Sequence, residues 1–421
     1  MVDSSKTAII TNDGKYTYSQ LLKKIALYNF ESNKKELVLL ICENNFEMIA
    51  AYLAVLRSGH AVMLISHTTN PELVESIVAK YQPKWIIGSK NFIGYTHQSV
   101  FQVREKEVEI DIHEQLAILL STSGTTGSQK FVRLSYNNVQ SNAESIVQYL
   151  NINEHERAVM NLPMSYSYGM SIVNSHLQAG ASIYLTEESV LMKSFWENVR
   201  KFEATSLSGV PFTYQMLHRV GFTEMDLPHL KTLTQAGGRL NENLVKVFGE
   251  FAKEKNKKFF VMYGQTEASP RISYIPPEQV LKKSSSIGTA IPGGELFVDP
   301  KTSELIYKGP NVMMGYAESL SDLAKGDELR GILNTGDTAK IDEDGFFIIT
   351  GRMKRFIKIF GLRINLDEIE KKLETNLHTA IACIGNDEKL IVAIENKSVF
   401  EDIKVSIEQL YKLHKTAYKV V

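Results

Sequence analysis

Along the first 115 residues, apolar runs of strand length alternate with longer segments of helical spacing. Leu37 to Ile41, Ala61 to Ile65 and Trp85 to Gly88 are the runs; Tyr18 to Tyr28, Glu47 to Arg57 and Pro71 to Tyr81 carry apolar residues at helical spacing. Strand and helix taken in turn predict a parallel sheet covered on both faces. No run approaches the roughly 20 apolar residues of a membrane-spanning helix. The start, Met1-Val2-Asp3-Ser4-Ser5-Lys6, lacks a basic head followed by an apolar stretch, so no signal peptide is expected.

A chain of 421 residues exceeds one ordinary core, so two or more domains are expected. The balance of 43% hydrophobic and 23% charged residues with a net charge of -1 is that of a soluble globular protein, and it offers nucleic acid or an acidic membrane no electrostatic purchase. Cys42 and Cys383 are too few and too far apart in sequence for a disulfide framework or a cysteine metal site, which suits a reducing cytoplasm.

The charged segment Arg104 to Glu109 reads as a solvated connection to a second strand–helix series over residues 116–290. Asn137 to Leu150 and Ser194 to Phe202 are its expected helices; Leu116 to Leu120, Ser182 to Leu185 and Phe259 to Met262 are among its strands. Residues 291–352 change to short strands with turns, such as Asp344-Gly345 before an alternating run, and predict a small antiparallel sheet or barrel. The fold class expected is therefore α/β. A large domain, 1–352, holds two parallel-sheet subdomains (1–115 and 116–290) and the barrel-like part; a small α+β domain, 353–421, follows, with a helix from Leu366 to Leu377, strands at 380–384 and 390–394, and a last helix over 405–414.

Polar clusters interrupt this pattern where loops follow strands. Ser123-Gly124-Thr125-Thr126-Gly127-Ser128-Gln129-Lys130 breaks an apolar strand into hydroxyls, glycines and a lysine, a good set for surrounding phosphate oxygens; a surface turn is the alternative. It does not fit the common Gly-x-x-x-x-Gly-Lys-Ser/Thr loop, because Gly124 and Gly127 are three apart and Phe131 follows Lys130. Tyr263-Gly264-Gln265-Thr266-Glu267 ends a later strand. In parallel sheets ligands bind beyond the carboxyl ends of strands, so Glu267 reads as a magnesium ligand beside phosphates, or else as a capping glutamate. Asp337 could accept from a ribose diol or simply sit in a turn. The five basic residues from Arg352 to Arg363, interleaved with Gly361 and apolar residues, suit a boundary facing an anionic ligand, with a solvated basic strand as the alternative.

In this order the clusters resemble the adenylate-forming superfamily of acyl-CoA synthetases, peptide-synthetase adenylation domains and firefly-type luciferases. Weaker matches are Leu162 to Gly169, Gln235 to Leu240 and Lys308 to Tyr316. The resemblance implies two half-reactions. A small-molecule carboxylic acid attacks the α-phosphate of ATP to give an acyl-adenylate and pyrophosphate, and a thiol, the pantetheine of CoA or of an acyl carrier protein, then displaces AMP. It implies that Ser123, Gly124, Thr125, Thr126, Gly127 and Lys130 hold the β- and γ-phosphates. Gly237, Gly238, Arg239 and Tyr263 would flank adenine, with Gly264 and Gln265 in the same nucleotide-binding cluster; Thr266 would meet the α-phosphate and Glu267 would bind Mg2+. Asp337 and Arg352 would take the ribose hydroxyls, Lys354 would be the hinge of a mobile C-terminal domain, and Lys358 and Gly361 would face the thiol.

The acyl pocket is expected among Tyr166, Tyr168, Val210, Pro211 and Tyr214, with core packing as the alternative for each. No Asp or Glu lies between Pro163 and Gly180 to pair with an ammonium, so an acid without an α-amino group is expected over an amino acid destined for a carrier protein. Family members carry a Gly-Lys near the C-terminus whose lysine bridges the substrate carboxylate and the α-phosphate. This sequence stops at Val421, about one strand short of it. The expectation is that the protein continues, and that the chain as given adenylates about 10²–10³ more slowly or only binds nucleotide.

Overall fold

The structure, a computed structural model, describes residues 3–121, 130–353, 355–359, 362–385, 389–411, 413 and 416–421. The loop residues Ser123 to Gly127, Lys354 and Gly361 lie outside them, and of Lys358 only the backbone is described.

Two large sheets organise the first of two compact units, residues 1–295 with 307–333. In the first sheet the strands Trp85–Ile87, Leu37–Cys42, Ala61–Ser66 and Leu116–Ser121 run parallel side by side. Leu37–Cys42 is buried at every position, as a strand covered on both faces must be. Helices Phe46–Arg57 and Pro71–Tyr81 connect these strands, starting from Asn45 and Asn70, whose side chains accept the amide protons of Met48 and Glu72. Phe131–Ser135 and then Gly315–Ala317 extend the sheet antiparallel.

The second sheet has Ser182–Leu185, Arg157–Met160, Ser206–Gly209, Thr232–Gln235 and Lys258–Gly264 in parallel, with Arg271–Ile275 antiparallel beyond them. Helices Tyr136–Leu150 and Ser167–Gln178 pack against each other beside it.

Besides Gly315–Ala317, which follows the second sheet's strands in sequence yet joins the first sheet, sheet membership departs from sequence order in two places. The hairpin Thr7–Thr11 with Gly14–Thr17 joins the second sheet, its first strand parallel to Ser182–Leu185. Conversely, Leu116–Ser121 belongs to the first sheet, against Ala61–Ser66. Periodicity reports whether a strand is buried on one face or two, but not which neighbour it pairs with. The segment from Arg104 is also less solvated than its charges suggest. Arg104 is buried, and its guanidinium donates to the carbonyls of Gln82, Lys106 and Val108.

The second unit comprises residues 296–306 and 334–421. Strands Ile332–Ile341 and Phe347–Arg352 pair antiparallel, in one four-stranded sheet with Glu304–Lys308 and Glu295–Val298. Helix Leu366–Leu377 and helix Phe400–Tyr411 accompany Ile381–Gly385, Leu390–Ile394 and Tyr418–Val420, the last pair parallel. Ile369, Leu373, Ile403 and Ile407 form this core. Among the basic residues, Arg355 turns inward. It donates twice to Glu370, also bonds Asp367, and reaches the carbonyl of Cys383. Among the described residues no helix is long and apolar enough to cross a membrane.

Candidate functional site

The site-forming loops leave the carboxyl ends of two neighbouring strands of the second sheet. Thr232–Gln235 delivers Gly237 and Gly238; Lys258–Gly264 delivers Gln265, Thr266 and Glu267, in a short 3₁₀ turn. Gly237 has a positive φ of 79°, and a Cβ there would stand 2.4 Å from the Tyr166 hydroxyl. Only glycine fits that approach. Gly237, Gly238 and Arg239 are all exposed. Arg239 is held by Glu242 at 3.4 Å. Tyr263 is half-buried and accepts from the Gln265 amide at 3.1 Å.

Glu267 is where the two large sheets meet. The Tyr316 hydroxyl, from the last strand of the first sheet, donates to Glu267 Oε1 at 2.8 Å. Lys130, at the foot of the adjoining strand, places its ammonium 3.3 Å from the centroid of the same Tyr316 ring and 4.0 Å from Glu318. Burial, followed by the Glu267 charge, pushes the Tyr316 phenol far up, so it stays a proton donor at any ordinary pH. Glu267 Oε2 makes no hydrogen bond among the described residues. A carboxylate with one oxygen anchored and one open, beside an ammonium, suits a divalent cation carrying a polyphosphate. Thr266 Oγ1 lies 3.1 Å from Ser167 Oγ, at the start of helix Ser167–Gln178.

Two residues without an assigned role in the sequence hold this arrangement. Arg133 is fully buried and donates to the carbonyls of Met314, Tyr316, Lys325 and Gly326 and to Glu328, fixing the strand that carries Tyr316. Asn311, also buried, donates to the carbonyls of Ala268 and Arg271 at 2.6 and 2.8 Å and accepts from Tyr307. The Met313 amide meets the Glu267 carbonyl at 2.9 Å. Asn311 and Tyr316 stand in the Lys308–Tyr316 match; for Arg133 nothing separates a buried arginine from a surface one in sequence alone.

The expected acyl-pocket residues divide. Tyr166, Val210 and Pro211 are partly exposed. Tyr168 and Tyr214 are fully buried: Tyr168 donates to Thr234, and Tyr214 packs edge-on to Phe248. In the second unit, Asp337 and Arg352 are brought together as paired residues of neighbouring strands, Arg352 Nε 3.3 Å from Asp337 Oδ1. Asp337 is 6% exposed while the Arg352 side chain is largely open. The backbone of Lys358 lies in a two-stranded ribbon opposite Arg363.

Residues 2–317 match the family described as AMP-binding enzyme. The putative acyl-CoA synthetase YngI of Bacillus subtilis (strain 168) is 28% identical over 386 residues, 82% of this chain and 70% of that protein. The D-alanine–D-alanyl carrier protein ligase of Staphylococcus epidermidis is 26% identical over 394 residues, 89% and 80% of the two chains. The fold is shared with the o-succinylbenzoate CoA synthetase of Bacillus subtilis. Solved with its acyl-adenylate intermediate, that protein has a TM-score of 0.78 at 19% identity, covering 99% of this chain and 92% of that one. Solved with ATP and magnesium ion, it gives 0.76 at 21%, covering 99% and 93%.

Proposed function

Because the chain belongs to the family of AMP-binding enzymes, we propose that it is an ATP-dependent acid–thiol ligase. In the first half-reaction an oxygen of a small-molecule carboxylate bonds to the α-phosphorus of ATP while the bond to the β-phosphate oxygen breaks, giving an acyl-adenylate and pyrophosphate. In the second, a thiolate sulfur bonds to the acyl carbon and AMP leaves. The thiol is the pantetheine of CoA or of a carrier protein, a choice supported on each side by a relative.

The observation that carries this reading is the convergence of Tyr316, Glu267 and Lys130. The reaction gathers negative charge on the phosphates, and fixed opposite charge is what lowers such a barrier. Glu267 offers its open oxygen to Mg2+, which supplies charge neutralisation when bound with ATP. Lys130, with Ser123 to Gly127, holds the departing pyrophosphate, and Thr266, steadied by Ser167, bonds the α-phosphate. Gly237, Gly238, Arg239 and Tyr263 flank adenine; Asp337 and Arg352 take the ribose hydroxyls. Lys354 serves as hinge between a large domain to residue 352 and a small one after it, and Lys358 and Gly361 serve the thiol step. A reducing cytoplasm is the proposed setting. Cys42 and Cys383 are buried free thiols, pushed up to about 12 by burial.

The test is exchange of labelled pyrophosphate into ATP with a panel of carboxylic acids. Exchange that needs both an acid and Mg2+ is expected. ATP binding with no exchange for any acid would leave a nucleotide-binding module, and exchange with amino acids alone would favour loading of a carrier protein.

A further inference from the structure

Four residues beyond Glu267, the chain buries a cation without an anion. Arg271 is 3% exposed, and its Nε is a buried donor with no hydrogen-bond partner. Its guanidinium lies over the Tyr168 ring, 3.9 Å from the centroid, and the Tyr149 phenol is its polar neighbour. Among the described residues no carboxylate comes within ion-pairing distance of it. Its backbone is pinned, the carbonyl accepting from Asn142 and Asn311. Arginine keeps its proton in any protein environment, so burial does not relieve the charge by neutralising it. An aromatic face compensates a desolvated cation only in part.

Arg271 lines a cavity of about 520 Å³ between helix Ser167–Gln178 and the second sheet. The hydroxyls of Ser171, Ser175, Ser208 and Thr234 line it as well, and the Ser145 hydroxyl and Asn142 Oδ1 nearby are buried without partners. Of the three lysines at its other end, Lys257 bonds the carbonyls of Leu227 and Leu230, Lys231 pairs with Glu156, and Lys258 is exposed to solvent. Arg271 is thus a charge without an anion, beside hydroxyls that bond helix carbonyls or one another.

From these contacts we infer that Arg271 receives a second carboxylate of the acid substrate, so that the enzyme prefers dicarboxylic acids. Thr234 lines the cavity three residues before Gly237, and Arg271 pairs with Gly264, so the Arg271 end of the cavity lies toward the carboxyl ends of the strands that carry the candidate site. The inference rests on the acid–thiol ligase reading.

The experiment compares straight-chain dicarboxylic acids with monocarboxylic acids of matched length in pyrophosphate exchange, for wild type, Arg271→Leu and Arg271→Lys. Wild type is expected to favour a diacid in kcat/KM by on the order of 10–100-fold, the range of a charged hydrogen bond. Arg271→Leu should bring the ratio to within about threefold of one, and Arg271→Lys should keep part of it. Equal use of both acids by wild type, or a preference that survives Arg271→Leu, overturns the inference while the ligase reading stands. Exchange with neither acid counts against the ligase reading, and thermal denaturation then decides on Arg271: a diacid that raises the wild-type melting temperature and not that of Arg271→Leu supports the anion site, and no shift overturns it. Removing an unpaired buried charge leaves Arg271→Leu folded; its melting temperature without ligand serves as the control.

Discussion

Both large sheets are buried, yet the first is sealed with hydrocarbon and the second partly with hydroxyls. In the first, Leu37–Cys42, Ala61–Ser66 and Leu116–Ser121 bring almost only aliphatic side chains inward. In the second, Ser208, Thr234 and Gln235 are buried strand residues, and Ser171, Ser175 and His176 face them from a helix. Buried polar atoms without partners lean the same way among the described residues: Glu36 Oε2 stands just before Leu37–Cys42 of the first sheet, but Tyr214 Oη, Gln235 Oε1 and Arg271 Nε belong to the second sheet and its helices. Unmet polar groups reduce stability. Their concentration on one side says that this sheet is shaped for contents, and the other for support.

The comparison breaks most readily at Leu40, which is fully buried. Leu40→Ala should cost about 2–5 kcal/mol in urea unfolding, against about 1 kcal/mol for Thr234→Val, which removes a hydroxyl shared with Tyr168 and Ser208. Similar losses would mean that the second sheet carries as much of the fold as the first. Glu267→Gln should slow pyrophosphate exchange about 10²–10³-fold while leaving urea unfolding nearly unchanged. A large loss of stability would make Glu267 a structural tie between the sheets and nothing more.

Acid should expose the polar side too. Burial pushes His176 down to about 4, with the Ile172 carbonyl opposing, so the folded protein keeps it neutral. The unfolded histidine titrates near 6.5, so between about pH 6.5 and 4 unfolding takes up a proton that the fold refuses. Stability falls with pH across that window, by up to about 3 kcal/mol, and is unaffected above it. Burial lowers His60, beside the first sheet, as well, so the His176 share is the part of the slope that His176→Gln removes. An unchanged slope would refute it. The smallest effect is expected from Tyr316→Phe, which keeps the ring under Lys130 and loses the hydrogen bond to Glu267: about tenfold slower exchange.

Much of the fold was legible because local periodicity reports burial. The helix Pro71–Tyr81 and the strands Ser182–Leu185 and Leu390–Ile394 appear at the expected bounds. Pairing is not local, and so the placement of Thr7–Thr11 in the second sheet was hidden. At the candidate site, the polar cluster ending at Glu267 was visible because a strand that turns polar is conspicuous. Arg133 and Arg271 were not, since a buried arginine differs from a solvated one only in its surroundings. Tyr316, one aromatic among eighteen tyrosines, shows its role only once two strands distant in sequence are neighbours.

The hydrogen bond from Tyr316 also limits what Glu267 can do alone. With one oxygen committed to a phenol, a single oxygen is left, and among the described residues no further carboxylate or imidazole gathers there to form a metal-binding group. A divalent cation in water already holds several oxygens and exchanges them reluctantly for one. Such a ligand recognises a cation and a polyanion as one object, and has little hold on either when they come apart.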